Sequence, residues 1–427
     1  MNATSGSKRI CSGGVRAAVL LSATFLFSVL PAQSQIQLPE GNGKAIVEKA
    51  CTECHDLERI VRARMSREDW QNLVNQMVSY GASLSNDEIA VVTNYLATNF
   101  LGEPKPVGVV VPGPVEASIK EWTVPTPGTR PHDPLVASDG SIWYTGIGAN
   151  LLGRFDPSTG QFKEYHLKTP KSGPHGLVAD KQGNIWFTAI DGAYVGQLDP
   201  KTGEIKEHRW SDPNARTAHT PIMDQKGYLW FTLSGSSRIG RVDTRTGEVK
   251  IATPPTPNAG PYGIAVNSKG IPFFTEFRTN KLASIDPDTM EIREYVLPNP
   301  ATRPRRIAIT SDDVIYYTDY ARGYLGMYDP KTGRAKDWPS PSGPKSEPYG
   351  ITAVGNILWY SESGVNKNTV VRFDPAAEKF QTWLIPSGGG VVRNMMPAPD
   401  GNLWLATSGV NGIAKVEVKG GPRSALR

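Results

Sequence analysis

Residues 172–188 read SGPHGLVADKQGNIWFT. Two short apolar runs, HGLVA and NIWFT, flank a polar turn, the pattern of paired β-strands. The same unit returns in both directions. Its aromatic anchor recurs at Trp143, Trp186, Trp230, Phe273, Tyr316, Trp359 and Trp404, in steps of 43, 44, 43, 43, 43 and 45 residues. A fixed period of this size marks a repeat architecture in which each unit is one supersecondary element. Each anchor run leads to a strand such as LLGRFD or RIGRVD, then to an outer strand. The outer strands read FKEYHL, IKEHRW, VKIATP, IREYVL, AKDWPS and FQTWLI, with turns such as DPSTG at 156–160 and DPKTG at 199–203 and 329–333.

The last repeat ends at AKVEV and lacks an outer strand, while a spare one, IKEWTV, lies at 119–124 ahead of the first. A ring needs that displaced strand to close its last blade; a linear solenoid does not, and would need capping repeats instead. The expected fold over 115–418 is therefore an all-β seven-bladed propeller, with 419–427 as a tail.

The repeat resembles the propellers of the virginiamycin B lyase (streptogramin lyase) family. The likeness covers about 300 of the 427 residues and is strongest in 172–188 and in FFTEFRTNKLASID at 273–286. It implies a propeller fold and raises a metal-dependent C–O lyase activity as one expectation. Members use a metal, a Glu in the T-E that ends a strand, and nearby histidines; Glu276 matches that Glu. Where the motif has a His two residues later, this chain has Arg278, and one blade earlier, after WFTL, it has Gly235.

The remaining chain has a different character. With 427 residues it is too long for one ordinary domain, and its net charge of +5 and lack of a basic run give no sign of a nucleic-acid partner. Lys8, Arg9 and Arg16 precede the apolar stretch Ala17–Leu30 and the small residues Ala32 and Ser34. This reads as a signal peptide over 1–34, leaving no membrane span after cleavage and a periplasmic or secreted protein. Residues 36–102 read as a compact all-α domain, and 103–114, rich in Pro, Gly and Val, as an extended linker.

Residues 51–55 of that domain read C-T-E-C-H, the haem-attachment spacing. Thiols of Cys51 and Cys54 reach the two vinyl groups of one porphyrin from a single turn, and His55 then lies beneath the iron. The segment resembles small bacterial cytochrome c domains, which implies one covalent haem c and a redox partner protein. Ser66 with Asp69 and Ser85 with Glu88 are helix-start signals. The family's second iron ligand is commonly a methionine; Met77 on an apolar helix face is the expected one, and Met65 the alternative.

Eleven residues before most anchors stand His132, His175, His219, Tyr262, Arg305 and Arg393, with Tyr349 at the corresponding place in the sixth, shorter repeat. These positions are expected to line the channel. His166 and His208 lie on outer strands and are expected to face solvent. Three residues after the anchors come Glu276, Asp319 and Glu362 in successive blades. Histidines facing these carboxylates would form a polar-substrate or divalent-metal site, such as one for Mg, with Glu276, His175 and His219 as catalytic candidates.

Three functions fit these features. The first is electron transfer through the haem, with the propeller as a docking or small-molecule oxidation platform. The second is the metal-dependent lyase. The third is a non-enzymatic binding scaffold.

Overall fold

A computed structural model describes residues 37–52, 57–79 and 82–419. The expected signal peptide and tail lie outside these residues, apart from Lys419, as do Cys54 and His55.

Seven four-stranded antiparallel sheets follow one another around the ring. In the second blade the strands Pro174–Ala179, Ile185–Ala189, Tyr194–Leu198 and Ile205–Arg209 pair in chain order, from channel to rim. The seventh blade departs from this order: Glu116–Thr123 pairs antiparallel with Gly412–Lys419, from Glu116↔Lys419 to Thr123↔Gly412. The displaced strand therefore closes the ring, and its edge is covered.

The repeat's conserved spacing has a packing cause. Gly153, Gly196, Gly240 and Gly326 on the third strands lie opposite Tyr144, Phe187, Phe231 and Tyr317 on the second strands. A Cβ at Gly240 would come 2.1 Å from the Phe231 ring, and one at Gly196 would come 2.1 Å from Phe187. Only glycine lets the aromatic ring lie flat across the neighbouring strand. The anchors themselves fill the blade cores: Trp186 and Trp230 are fully buried, with indole N–H groups donating to Asp180 (2.8 Å) and Asp224 (2.9 Å).

Each inner strand carries a bulge just after its start, as between Pro174 and Leu177 in the second blade. A bulge leaves a backbone N–H without a ladder partner. The threonine of the W-F-T run supplies one. The Thr188 hydroxyl accepts from the Gly176 N–H (3.0 Å) and donates to the His219 carbonyl of the next blade (2.5 Å). Thr145, Thr232, Thr275 and Thr318 bridge the same way to the carbonyls of His175, Tyr262, Arg305 and Tyr349, at 2.6–2.9 Å. Serine does so in the sixth blade, Ser361 bonding the Val392 carbonyl at 3.1 Å. These buried hydroxyls staple blade to blade and fix the residues that face the channel.

The N-terminal unit consists of α1 (Lys44–Cys51), α2 (Glu58–Arg62), α3 (Arg67–Ser79) and α4 (Asn86–Asn99). Both expected helix starts are present. Ser85 and Glu88 form a reciprocal capping box on α4, and the Ser66 hydroxyl accepts from the Asp69 N–H (3.1 Å) before α3. Val47, Ile60, Trp70, Val74, Val92, Tyr95, Leu96 and Phe100 form one apolar core.

The connection that follows is extended, as expected, but it is not free. The Gly108 N–H donates to the Asn366 carbonyl (3.0 Å), Val109 N–H to the Ser342 hydroxyl (3.0 Å) and Thr382 N–H to the Val111 carbonyl (3.0 Å). Glu103 pairs with Lys345. Residues 103–115 therefore form a strap. It starts on the sixth-blade loops 340–347 and 363–368, at the end of the ring where the inner strands begin, then descends along that blade's outer strand. Among the described residues, no helix is long and apolar enough to cross a membrane.

Candidate functional site

The channel residues converge as their spacing predicts. The rings of His132 and His175 lie 3.7 Å apart, His175 and His219 3.8 Å, and His219 and Tyr262 4.0 Å. Across the channel the hydroxyls of Tyr262 and Tyr349 are 2.6 Å apart. The histidines are buried. Burial, then the charge of Arg393, Arg306 and neighbouring arginines, drives His132 well below the usual imidazole value. Burial and the adjoining histidines and arginines do the same for His175 and His219. All three are neutral at physiological pH.

Arg305 occupies an aromatic box. Its guanidinium carbon lies 3.7 Å from the ring centre of Tyr349, 4.1 Å from Tyr320, 5.1 Å from Tyr262 and 5.2 Å from Phe277. One Nη donates to the Tyr262 hydroxyl at 3.2 Å, and Nε is buried without a partner.

Beneath this ring lies a layer that the repeat spacing does not single out, one residue further along each inner strand. Asp133 and Arg306 meet there at 3.0 Å, both side chains 3% exposed. Asp133 also accepts from Asn394 (2.9 Å) and lies 2.8 Å from His132 Nδ1. A second Nη of Arg306 reaches the Thr220 hydroxyl at 3.3 Å, and its Nε is buried without a partner. The signal was present in the sequence as the charged neighbours of His132 and Arg305. It was hidden because glycines hold the corresponding positions in the second, fourth and sixth blades.

The three carboxylates after the anchors do not join this centre. Each lies across from the start of its inner strand, in the pairs Pro261↔Glu276, Pro304↔Asp319 and Pro348↔Glu362, yet each bonds within its own blade. Glu362 accepts from Ser340 (2.8 Å), the Ser342 N–H (2.8 Å) and Thr369 (2.6 Å). Asp319 accepts from the Arg303 N–H (3.0 Å) and from Arg322 (3.1 Å). Glu276 is fully buried beside Thr279, with one oxygen lacking a partner; burial and then Glu294 push it up to about 8. The structure thus does not assemble Glu276, Asp319 and Glu362 as common ligands of a divalent ion. Among the described residues, the group whose ligand atoms lie close enough together, within 4.8 Å, is His132, Asp133 and His175. His166 is exposed as expected, but His208 is not: its ring lies 4.9 Å from Trp186 and burial lowers its pKa.

In the N-terminal unit, Cys51 ends α1, half-buried against the apolar core, and burial raises its thiol pKa. Leu57, Val61, Met65, Leu73 and Leu84 pack on the same core while keeping part of their surface uncovered. Met77 is half-buried in the last turn of α3. Of the three residues of the C-T-E-C-H spacing that would hold a haem, only Cys51 is among the described ones, and its free thiol stands on an apolar core as a thioether to a porphyrin requires.

Comparisons with known proteins agree on the fold of the larger unit. The Virginiamycin B lyase family model matches residues 113–189. Comparison with curated protein sequences gives no match. Among solved structures, a streptogramin B lyase superposes with a TM-score of 0.65 at 24% identity, over 71% of this chain and 98% of its own. Virginiamycin B lyase from Staphylococcus aureus, in selenomethionine form, gives 0.65 at 24%, over 70% and 99%. Hydrazine synthase from Kuenenia stuttgartiensis gives 0.57 at 15%, over 71% and 98%. At these identities the likeness establishes the architecture: the larger part of this chain is a seven-bladed, virginiamycin B lyase-like β-propeller.

Proposed function

We propose that the chain is an exported c-type cytochrome whose propeller is the platform for its redox partner or small-molecule substrate. The observation that carries this reading is the C-T-E-C-H spacing of residues 51–55, whose first residue, Cys51, ends α1 and sits on the apolar core of the N-terminal unit. Haem c would supply reversible one-electron chemistry. In this reading Cys51 and Cys54 would hold it covalently, and His55 with Met77 or Met65 would bind its iron. The half-covered side chains exclude water from it. The strap supports a joint role, since it ties the end of α4 to the face of the propeller where the channel ring lies.

Expression in a periplasm with c-type haem maturation tests this. The expected product carries haem through denaturing electrophoresis and gives a sharp reduced α-band, both lost in the Cys51→Ser/Cys54→Ser double variant. Protein that matures without covalent haem refutes the reading.

A second reading, the lyase, is favoured by the family match and by Glu276, a buried carboxyl held near neutral titration and suited to proton transfer. Against it stand Arg278 in place of the expected histidine and the dispersal of the three acids. Turnover of a streptogramin that is lost on Glu276→Gln would establish it; metal-supplemented protein without turnover removes it.

A further inference from the structure

We infer that the channel mouth is a binding site for a small aromatic carboxylate, received by Arg305 and Arg393. The ring and the layer beneath it hold Arg305, Arg306 and Arg393 against Asp133, a net charge of 3 − 1 = +2 with neutral histidines. Asp133 is committed to Arg306 and Asn394. Arg305 has aromatic faces and the hydroxyls of Tyr262 and Tyr320, and Arg393 donates from Nε to Ser408 at 3.2 Å. Among the described residues neither makes an ion pair, although Glu347 lies beside Tyr320 on the rim. Aromatic faces stabilise a cation but offer its N–H groups no strong acceptor. A desolvated guanidinium without a counter-charge is costly, and an arriving anion offsets that cost.

The sign of the field decides between ligand classes. His132, Asp133 and His175 have the spacing for a cation, but the excess of arginines around them opposes one. The same arginines outweigh burial and hold the Tyr349 hydroxyl below the ordinary phenol value. Geometry then narrows the anion. Planar guanidinium forks match a planar carboxylate. The half-exposed rings of Phe277 and Tyr320 give the mouth an apolar wall that suits a flat body. This site stands independently of the haem.

Calorimetric titration of the full chain tests the proposal, with benzoate, benzamide, inorganic phosphate, Mg²⁺ and Zn²⁺ as separate probes. Benzoate is expected to bind, and benzamide, equal in shape but uncharged, to bind about tenfold to a hundredfold more weakly. Arg393→Gln is expected to weaken benzoate by a similar factor, and Arg393→Lys to restore part of it. Arg393 is half-exposed, and the benzamide comparison needs no variant at all. Equal binding of benzoate and benzamide, or no benzoate binding, overturns the proposal. Phosphate outcompeting benzoate overturns the carboxylate assignment. Tight Zn²⁺ or Mg²⁺ binding lost in His175→Ala shows a cation site instead.

Discussion

Replacing Asp133 by Asn measures how far the propeller depends on its buried ion pair. Asp133 and Arg306 are each 3% exposed and 3.0 Å apart, so water cannot compensate either charge alone. The amide keeps the shape of the carboxylate and leaves Arg306 without its counter-charge. Breaking a buried pair in this way costs about 3–5 kcal/mol. For a unit of this size that corresponds to a melting shift of roughly 6–10 °C, at about 2 °C per kcal/mol. Arg306→Met in the same chain removes the stranded charge, and the double variant is expected within about 1–2 kcal/mol of the parent because Met fills the volume of Arg306 without a charge while the amide at 133 keeps Asn394 as a partner. The assay is denaturant unfolding followed by tryptophan fluorescence, since buried Trp143, Trp186 and Trp230 all report the propeller. A coupling energy of about 2–4 kcal/mol in the double-variant cycle is the expected result. If Asp133→Asn costs under about 0.5 kcal/mol, or if the two single effects simply add, the pair does not sit in a low-dielectric channel and the charge argument fails.

Three further outcomes follow from the same geometry. Gly240→Ala places a methyl 2.1 Å from the Phe231 ring and is expected to cost about 1–3 kcal/mol, read from the same fluorescence transition. Glu276 titrates at about 8 when folded against 4.5 unfolded, so the folded state binds more protons between those values. Stability is therefore full below about 4.5 and falls as pH rises through about 8; Glu276→Gln is expected to flatten melting temperature over that window, and an unchanged slope contradicts the assigned shift. Ser85→Ala removes the α4 cap and is expected to destabilise the N-terminal unit by about 1 kcal/mol without moving the propeller transition, as monitored by amide hydrogen exchange in the two units.

Much of this molecule was legible along the chain because its order is periodic. The 43–45-residue spacing of the anchors, the displaced strand at 119–124 and the serine caps are local patterns, and local patterns survive without coordinates. The ring of His132, His175, His219, Tyr262, Arg305, Tyr349 and Arg393 was legible for the same reason: equivalent positions in a closed repeat must meet at the axis. What periodicity does not carry is the direction of a side chain and the identity of its partner across the ring. Glu276, Asp319 and Glu362 share a register yet turn into their own blades, where hydroxyls and N–H groups satisfy Asp319 and Glu362 and Thr279 bonds one oxygen of Glu276. Asp133 and Arg306 lie 173 residues apart and become partners only when the ring closes. The strap is the same kind of fact. Its composition marks it as extended, but its hydrogen bonds to Asn366, Ser342 and Thr382 depend on which blade lies beside it. The repeat, its closure and the C-T-E-C-H spacing can all be read along the chain. Tertiary structure alone decided the net charge of the channel, since desolvation and long-range pairing act only between residues that folding brings together.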